Sequence, residues 1–288
     1  MNDAEAEKSS LVKAVEQLKV HDHLCLIYES LDEQLAAAIP FIRIGLERGE
    51  QCIYIADDNT VSAISEAMRA EGIAVDPKSD ALKIITKRDA YLKQGYFDPD
   101  SMIRFLKEAV DAAKKAGFTA LRATGEMTWA LGNETGVERL IEYEAKLNHC
   151  FPENDALAIC QYSRNRFNPE IILDVIRTHP MVIYGSTVCD NFYYVPPDEF
   201  LKPEAMQGSL EVERFLENIR DHALAMAEIR KLNAELEHRV KERTAELTER
   251  NAQLERMNKL FVGREHKMIA LKKRIAELEK DNTGEAKS

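Results

Sequence analysis

The strongest constraint on this chain is the regular alternation of short apolar runs with amphipathic segments over its first 200 residues. Six runs have the length and composition of strands: 23–28, 51–58, 81–92, 118–129, 156–163 and 181–189. The segments between them carry apolar residues at helical spacing, as in Leu35, Ala38, Ile39, Ile42 and Leu46. Strands that alternate with helices in this way form parallel sheets. We therefore predict an α/β fold with a largely parallel sheet and helices on both faces.

The last third of the chain follows a different period. Apolar residues recur every seven positions in one register at Leu247, Leu254, Phe261, Met268 and Ile275. A second register holds Met257, Leu271 and Leu278, with Arg250 and Arg264 as its exceptions. Sustained heptads predict a coiled coil, most simply a parallel homodimer. The alternative is a single long helix that packs back on the first domain.

Composition places the boundary between these parts near residue 205. Pro196, Pro197 and Pro203 mark the junction, as is usual where a compact domain ends. We predict four segments: an N-terminal helix (1–20), the α/β domain (21–204), a helical coiled coil for signalling and dimerisation (205–282), and a disordered tail (283–288).

Charge excludes some classes of partner. The net charge is −11, yet residues 229–280 carry +5 and residues 281–288 carry −1, so residues 1–228 carry −15. A domain this acidic repels polyanions, and we expect no direct nucleic-acid binding. The first 19 residues lack the apolar run of a secretory signal, and no apolar stretch is long enough to span a membrane. Five scattered cysteines without a CxxC pair favour free thiols. We therefore expect a cytoplasmic protein without a membrane partner.

The first strand–turn–helix unit lacks the residues for binding phosphate. In nucleotide-binding α/β folds this turn carries glycines and a lysine followed by Ser or Thr. Here the turn reads YESLDEQ, and its acidic residues Glu29, Asp32 and Glu33 repel a triphosphate. Neither GxxxxGK[ST] nor GxGxxG occurs anywhere in the chain. ATPase and dinucleotide chemistry are therefore disfavoured, and we assign no catalytic residues.

Polar and aromatic residues near the strand ends are candidates for a ligand site, because ligands of such sheets bind at the carboxyl ends of the strands. The candidates are Tyr28, Glu29, Asp57, Asp58, Arg122, Glu126, Trp129, Tyr162, Arg164 and Arg166. Other interpretations stay open for several of them. The two aspartates suit a helix N-cap, Trp129 suits the core, and the arginines at 164 and 166 suit internal ion pairs.

Histidines do not indicate a metal site in the sequence. His21 and His23 form an HxH pair, but no third ligand is evident nearby. His179 ends a predicted helix, where it suits a C-terminal cap. We expect no metal and name no cofactor.

Several separated motifs resemble the MEDS domain, a sensory domain named for methanogens, methylotrophs and the regulator DcmR. The matching stretches are HLCLIYES, PFIRIGLERGEQCIYIADD, RATGEMTWAL, CQYSRNRF, ILDVIRTHPMVIYG and VCDNFYYVPPDEFL. The resemblance covers about two-thirds of the chain and implies a relative of RecA/KaiC-type domains. The segment that ends in Asp57 and Asp58 is similar to the one after a KaiC phosphate loop, although the loop itself is missing.

The tail resembles the helical connectors of sensor histidine kinases, again without the catalytic parts. Together these resemblances imply a signal-transduction protein that senses small molecules, including one-carbon or halogenated compounds, in a degenerate RecA-like domain. A coiled coil would relay the signal to a partner such as a histidine kinase of a two-component system or a transcription regulator. Two alternatives remain: a cryptic nucleotide-binding hydrolase, and a protein-interaction module without a ligand.

Overall fold

The computed structural model describes residues 3–202 and 204–284, with side-chain detail at 9–202 and 212–275. The strands are β1 (His23–Tyr28), β2 (Gln51–Ala56), β3 (Leu82–Thr86), β4 (Leu121–Glu126), β5 (Ala156–Ser163), β6 (Met181–Tyr184) and β7 (Thr187–Asp190). The helices are α1 (Asp3–Glu16), α2 (Leu31–Glu47), α3 (Val61–Ala70), α4 (Pro99–Lys115), α5 (Leu140–Cys150), α6 (Pro169–Thr178), α7 (Pro197–Phe200) and α8 (Glu204–Gly284).

One seven-stranded sheet has the order β3-β2-β4-β5-β1-β6-β7, and every neighbouring pair is parallel except β6–β7. The predicted fold class, a largely parallel α/β sheet followed by a long helix, is therefore confirmed. One predicted element is wrong in detail, because residues 181–189 form two antiparallel strands instead of one. The turn between them contains Gly185 at φ 57°, a left-handed conformation that glycine adopts without strain.

Alternating side chains divide the core between the two faces of the sheet. On β5, Leu157 and Ile159 join the apolar cluster that contains residues of α1, α2 and α3. Ala158 and Cys160 point the other way, into the cluster that contains residues of α4, α5 and α6. The four central strands β1, β2, β4 and β5 are buried along their whole length, which explains the apolar runs of β1, β2 and β5 in the sequence.

Arg122 forms a buried ion pair inside the first of these clusters. Its Nε lies 2.5 Å from Glu50 Oε2, and its guanidinium carbon lies 4.5 Å above the ring centre of Phe41. Gly45 makes room for this side chain, since a Cβ there would lie 2.5 Å from Arg122 Cδ. The backbone of α2 can therefore approach β4 closely only because residue 45 has no side chain.

The N-terminal helix packs on the α/β domain through Leu11 and Val15, which are both buried. The chain divides into two compact units, residues 1–218 and 219–288. The second unit contains most of α8, which continues without a break to Gly284. Residues 285–288 of the predicted disordered tail lie outside the described residues. Among the helices that the structure describes, none is long and apolar enough to cross a membrane.

The Glu50→Gln variant tests the buried ion pair. We expect it to lower the free energy of unfolding by about 3 kcal/mol, because an uncompensated guanidinium stays buried. Urea unfolding followed by the fluorescence of Trp129, the single tryptophan, reports on the α/β domain. The exposed Glu47→Gln variant is the control and should change stability by less than about 0.5 kcal/mol. Equal losses in the two variants would contradict a special role for the pair.

Candidate functional site

A buried carboxylate organises the edge at which the parallel strands end. Glu126, the last residue of β4, has no solvent exposure. Its Oε1 accepts hydrogen bonds from Tyr54 Oη (2.8 Å) and Asn59 Nδ2 (2.9 Å). Its Oε2 accepts from the backbone N–H groups of Asp57 and Asn59, both at 2.9 Å. Four donors therefore offset the free-energy cost of burying this carboxylate.

A chain of amides extends from this carboxylate to α2. Asn59 Nδ2 also donates to Gln34 Oε1, and Gln34 Nε2 donates to Gln161 Oε1 at 2.7 Å. Gln161 Nε2 in turn donates to Thr124 Oγ1 at 2.7 Å. The network joins β2, β4, β5 and α2 across the α2 face of the sheet. It also fixes the orientation of the Gln34 and Gln161 amides, since the oxygen and the nitrogen of each have a partner of the opposite hydrogen-bonding type.

The same negative charge acts on the neighbouring phenols. Burial raises the pKa of Tyr28 far above its usual value, and Glu126 and Asp58 raise this pKa further. Burial and Glu126 also raise the pKa of Tyr54. Both phenols therefore stay neutral under physiological conditions, and Tyr54 remains a hydrogen-bond donor to the carboxylate.

Ion pairs connect the loops that follow the strands. Arg166 reaches Asp58 and Arg164 reaches Glu29, each with an N–O distance of 2.7 Å. Asp57 accepts from Thr128 Oγ1 at 2.7 Å and pairs with Lys87, also at 2.7 Å. The arginine pairs are about half exposed, so solvent screens them and they contribute little to stability.

The N-terminus of α2 satisfies its own backbone groups. Ser30 Oγ accepts from the backbone N–H of Glu33, and the Glu33 carboxylate accepts from the backbone N–H of Glu29. This pair resembles a capping box, except that the Glu33 carboxylate accepts from the residue before the N-cap, Glu29. The turn that carries phosphate in nucleotide-binding folds is therefore occupied here by the protein's own acidic side chains.

The structure brings together Tyr28, Glu29, Asp57, Asp58, Glu126, Arg164 and Arg166 at the carboxyl edge, and it places the other three predicted residues elsewhere. Arg122 lies near the start of β4 in the ion pair with Glu50. Trp129 stacks on Tyr91 with ring centres 4.7 Å apart and is fully buried. Tyr162 points to the opposite face of the sheet, where its hydroxyl donates to Glu144.

Sequence reasoning missed the amide network that extends from Glu126. Gln34, Asn59 and Gln161 match no motif, and they come from three separate parts of the chain. The available signal was the polar residue at position 161 inside the apolar run of β5. A polar side chain at a fully buried strand position requires a partner.

An apolar groove lies beside the carboxyl edge, between α6 and the β6–β7 hairpin. Its volume is about 730 Å³. The lining side chains are mostly apolar and include Ile27, Ile172, Leu173, Ile176, Val182 and Phe192. Arg164 and Tyr184 supply polar groups, and the Arg164 Nη1 donates to the Tyr184 hydroxyl at 3.0 Å. A concave apolar surface with few polar groups is typical of small-molecule sites.

The first turns of α8 contact one wall of this groove. The rings of Tyr193 and Phe215 are 6.1 Å apart, and Asn218 Nδ2 donates to the Phe192 carbonyl oxygen. Arg214 forms an ion pair with Glu199 in the same region. Phe192 and Tyr193 therefore contribute both to the groove and to the packing of α8.

Comparison with known proteins identifies the class of domain. The family model for the methanogen/methylotroph, DcmR sensory domain (MEDS) matches residues 22–180. The chain therefore belongs to the MEDS family, which places it among sensory and regulatory proteins. A curated relative is the transcriptional repressor DcmR of Methylorubrum extorquens, 28% identical over 163 residues. The match covers 55% of this chain and 58% of the repressor, so the chain spans little more than half of that protein.

Solved structures provide weaker likenesses. A KaiC-like protein from Pyrococcus horikoshii OT3 gives a TM-score of 0.40 at 17% identity, covering 56% of this chain and 69% of the other. The flagellar accessory protein FlaH from Methanocaldococcus jannaschii gives a TM-score of 0.42 at 13% identity. This match covers 62% of this chain and 80% of FlaH.

The Glu126→Gln variant tests the buried carboxylate. We expect a loss of about 3 kcal/mol in unfolding free energy, because the new amide turns an N–H group toward donors that stay buried. Urea unfolding monitored by Trp129 fluorescence measures this loss. The Glu29→Gln variant breaks an exposed ion pair and should lose less than about 1 kcal/mol. A Glu126→Gln variant as stable as wild type would contradict this account.

Proposed function

We propose that this protein is a cytoplasmic sensory regulator that binds a small organic ligand in the groove beside β6, β7 and α6. Occupation of the groove would alter the packing of Phe192 and Tyr193 against α8. A coiled coil formed by the rest of α8 would then transmit the change to a partner, either a histidine kinase or a transcription regulator. MEDS family membership supports the sensory part of this proposal.

One observation carries the proposal: two residues that line the groove also contact residues of α8. Phe192 lines the groove, and its carbonyl oxygen accepts from Asn218 of α8. Tyr193 lines the groove and packs beside Phe215. A ligand that contacts these residues changes the free energy of their packing on α8. Differential affinity for two packing states is what a ligand-driven switch requires.

The groove favours a small, mainly apolar molecule. Arg164 is the charged donor of the lining, so a ligand with one anionic group would pair with its guanidinium. Halogenated one-carbon compounds would use the apolar surface alone. The groove therefore suits the compounds that the MEDS resemblance implies, and the two kinds of ligand differ in their dependence on Arg164.

A second copy of the chain is the partner that the long helix fits. The heptad residues Leu247, Leu254, Phe261, Met268 and Ile275 are all 49–60% exposed within one chain. Apolar residues at this spacing bury their side chains by pairing with another helix of the same pattern. Lys, Arg and Glu residues lie between these heptad positions, so ion pairs can form between the two helices.

Two other functions are less well supported. A nucleotide hydrolase needs a free anion site at the start of α2, but Ser30 and Glu33 cap that helix. It also needs an available base, whereas Glu126 already accepts four hydrogen bonds. A ligand-free interaction module remains the function to adopt if the groove binds nothing.

Thermal unfolding of the full chain tests ligand binding. The panel contains dichloromethane, methanol, formate, acetate and Mg-ATP. A ligand at about 100 times its dissociation constant adds about 2.7 kcal/mol of stability, which raises Tm by several degrees. We expect a shift with at least one of the small organic compounds. The Leu173→Trp variant, which places a larger side chain at the groove, should lose that shift.

Two control variants define the site. Leu131 is exposed and lies outside the groove, so Leu131→Trp should keep the wild-type response. Arg164→Gln should lose the response to formate or acetate and keep any response to dichloromethane. A shift with Mg-ATP alone would overturn the proposal and favour a nucleotide-binding function. No shift with any compound would favour the interaction module.

Sedimentation equilibrium of the full chain tests the homodimer. We expect a dimer at micromolar concentration, and we expect Leu254→Lys to shift the equilibrium toward monomer, because a charge would enter the apolar seam. Ala252→Lys adds the same charge outside both heptad registers and should leave the dimer intact. A wild-type monomer, or equal effects of the two substitutions, would contradict the coiled-coil relay.

A further inference from the structure

Four buried donor groups converge on the sheet face opposite the Glu126 network. They are His23 of β1, Glu144 of α5, Cys160 of β5 and His179, which caps the C-terminus of α6. Their exposed fractions are 2%, 0%, 5% and 0%. One ligand atom from each lies within 4.8 Å of the others. The groove shares no residue with this cluster.

The hydrogen bonds outside the cluster fix the histidine tautomers. Asn148 Nδ2 donates to the carbonyl oxygens of Thr178 and Glu144, so Asn148 Oδ1 is an acceptor. His23 Nδ1 lies 2.9 Å from that oxygen and therefore carries the proton. His179 Nδ1 lies 2.7 Å from the carbonyl oxygen of Val175 and carries a proton for the same reason. In the neutral rings, both Nε2 atoms then present lone pairs to the cluster.

The Nε2 atoms of the two histidines are consequently acceptors that face the Glu144 carboxylate, and the Cys160 thiol, 3.4 Å from Glu144 Oε2, is the donor among the four groups. His179 Nε2 lies 3.2 Å from Glu144 Oε2, and His23 Nε2 lies 3.4 Å from the same oxygen. Among the described residues, His179 Nε2 has no partner with hydrogen-bond geometry. Acceptors held this close in the interior repel one another unless a cation lies between them.

We propose that His23, Glu144, Cys160 and His179 bind a zinc ion. Zinc takes four ligands from imidazole, thiolate and carboxylate groups, with bonds of about 2.0–2.3 Å. Tetrahedral geometry then separates neighbouring ligand atoms by about 3.3–3.8 Å. Cys160 Sγ lies 3.6 Å from His23 Nε2 and 3.4 Å from Glu144 Oε2. These two separations lie inside that range, the His179 Nε2–Glu144 Oε2 separation of 3.2 Å lies just below it, and no two of the four ligand atoms are more than 4.8 Å apart.

The charges of the ligands also suit a divalent ion. One thiolate and one carboxylate neutralise Zn²⁺, so the occupied site carries no net charge in the interior. Burial raises the pKa of the Cys160 thiol, and Glu144 raises it further. The thiol therefore needs a cation beside it to lose its proton, and binding releases that proton to solvent.

A supporting shell surrounds the four ligands, as in established metal sites. Each histidine donates its outer N–H to an oxygen, and the Tyr162 hydroxyl donates to the remaining carboxylate oxygen of Glu144. Such partners orient metal ligands and raise their basicity. The predicted absence of a metal overlooked this set, because the four ligands come from four elements and span 157 positions. His21 does not belong to the four groups whose ligand atoms converge.

Cobalt substitution tests the site in the full chain. We would produce the protein in medium supplemented with cobalt and measure its metal content and absorption spectrum. The expected result is one cobalt per chain, a thiolate-to-cobalt charge-transfer band, and the intense visible bands of tetrahedral Co²⁺. One equivalent of zinc should bleach these bands, since zinc binds such ligands more tightly than cobalt.

Matched cysteine variants locate the thiolate. Cys160→Ser should lose the charge-transfer band, while Cys52→Ser should keep it, because Cys52 is buried on the other face of the sheet. Asn148→Ala, which frees the His23 ring, should weaken zinc affinity about 10- to 100-fold in a chelator competition. Wild-type protein without the cobalt bands would overturn the proposal even if Cys160→Ser fails to fold. A band that persists in Cys160→Ser, or that zinc does not bleach, would overturn it as well.

Discussion

The carboxyl edge of the sheet depends on one buried negative charge. Glu126 ends β4 and accepts all its hydrogen bonds from β2 and the loop that follows it. Without these donors the carboxylate would be too costly to bury, and without the carboxylate two backbone N–H groups would lose their acceptor. The conformation of the loop after β2, and hence the positions of Asp57 and Asp58, follows from this mutual requirement. Ser30 and Glu33 accept hydrogen bonds from backbone N–H groups at the start of α2, where a bound phosphate would accept them in a nucleotide-binding fold.

Successive side chains of a strand point to opposite faces, so the two faces of the sheet carry different polar groups. Cys160 and Gln161 are neighbours in β5, yet Cys160 joins the four donor groups near α5 and α6, and Gln161 joins the amide network near α2. A shift of one residue in the register of β5 would exchange these side chains between faces and disrupt both clusters. The two polar clusters therefore add specificity to a register that the apolar core already favours.

The sequence was sufficient for the elements but not for the sites. Apolar periodicity predicted the parallel sheet because each buried strand leaves a continuous run, whereas the hairpin at Gly185 was missed because both short strands share one apolar run. The proximity of Glu126, Asp58 and Arg166 could be predicted, since topology alone brings these residues to one edge. Trp129 and Arg122 were misleading, because chemical type does not reveal which end or face a residue occupies. The His23–His179 cluster required three-dimensional distances, since no local spacing connects its members.

Both lateral margins of the sheet are unsuited to pairing with another molecule. On one side, β3 has five residues and carries Lys83, which is partly exposed and paired with Asp80. On the other side, the chain reverses at Gly185, and the four residues of β7 run antiparallel to the rest and end in an acidic residue. Short, charged or reversed outer strands resist edge-to-edge addition. Self-association by strand exchange, and the aggregation that follows from it, is thereby disfavoured.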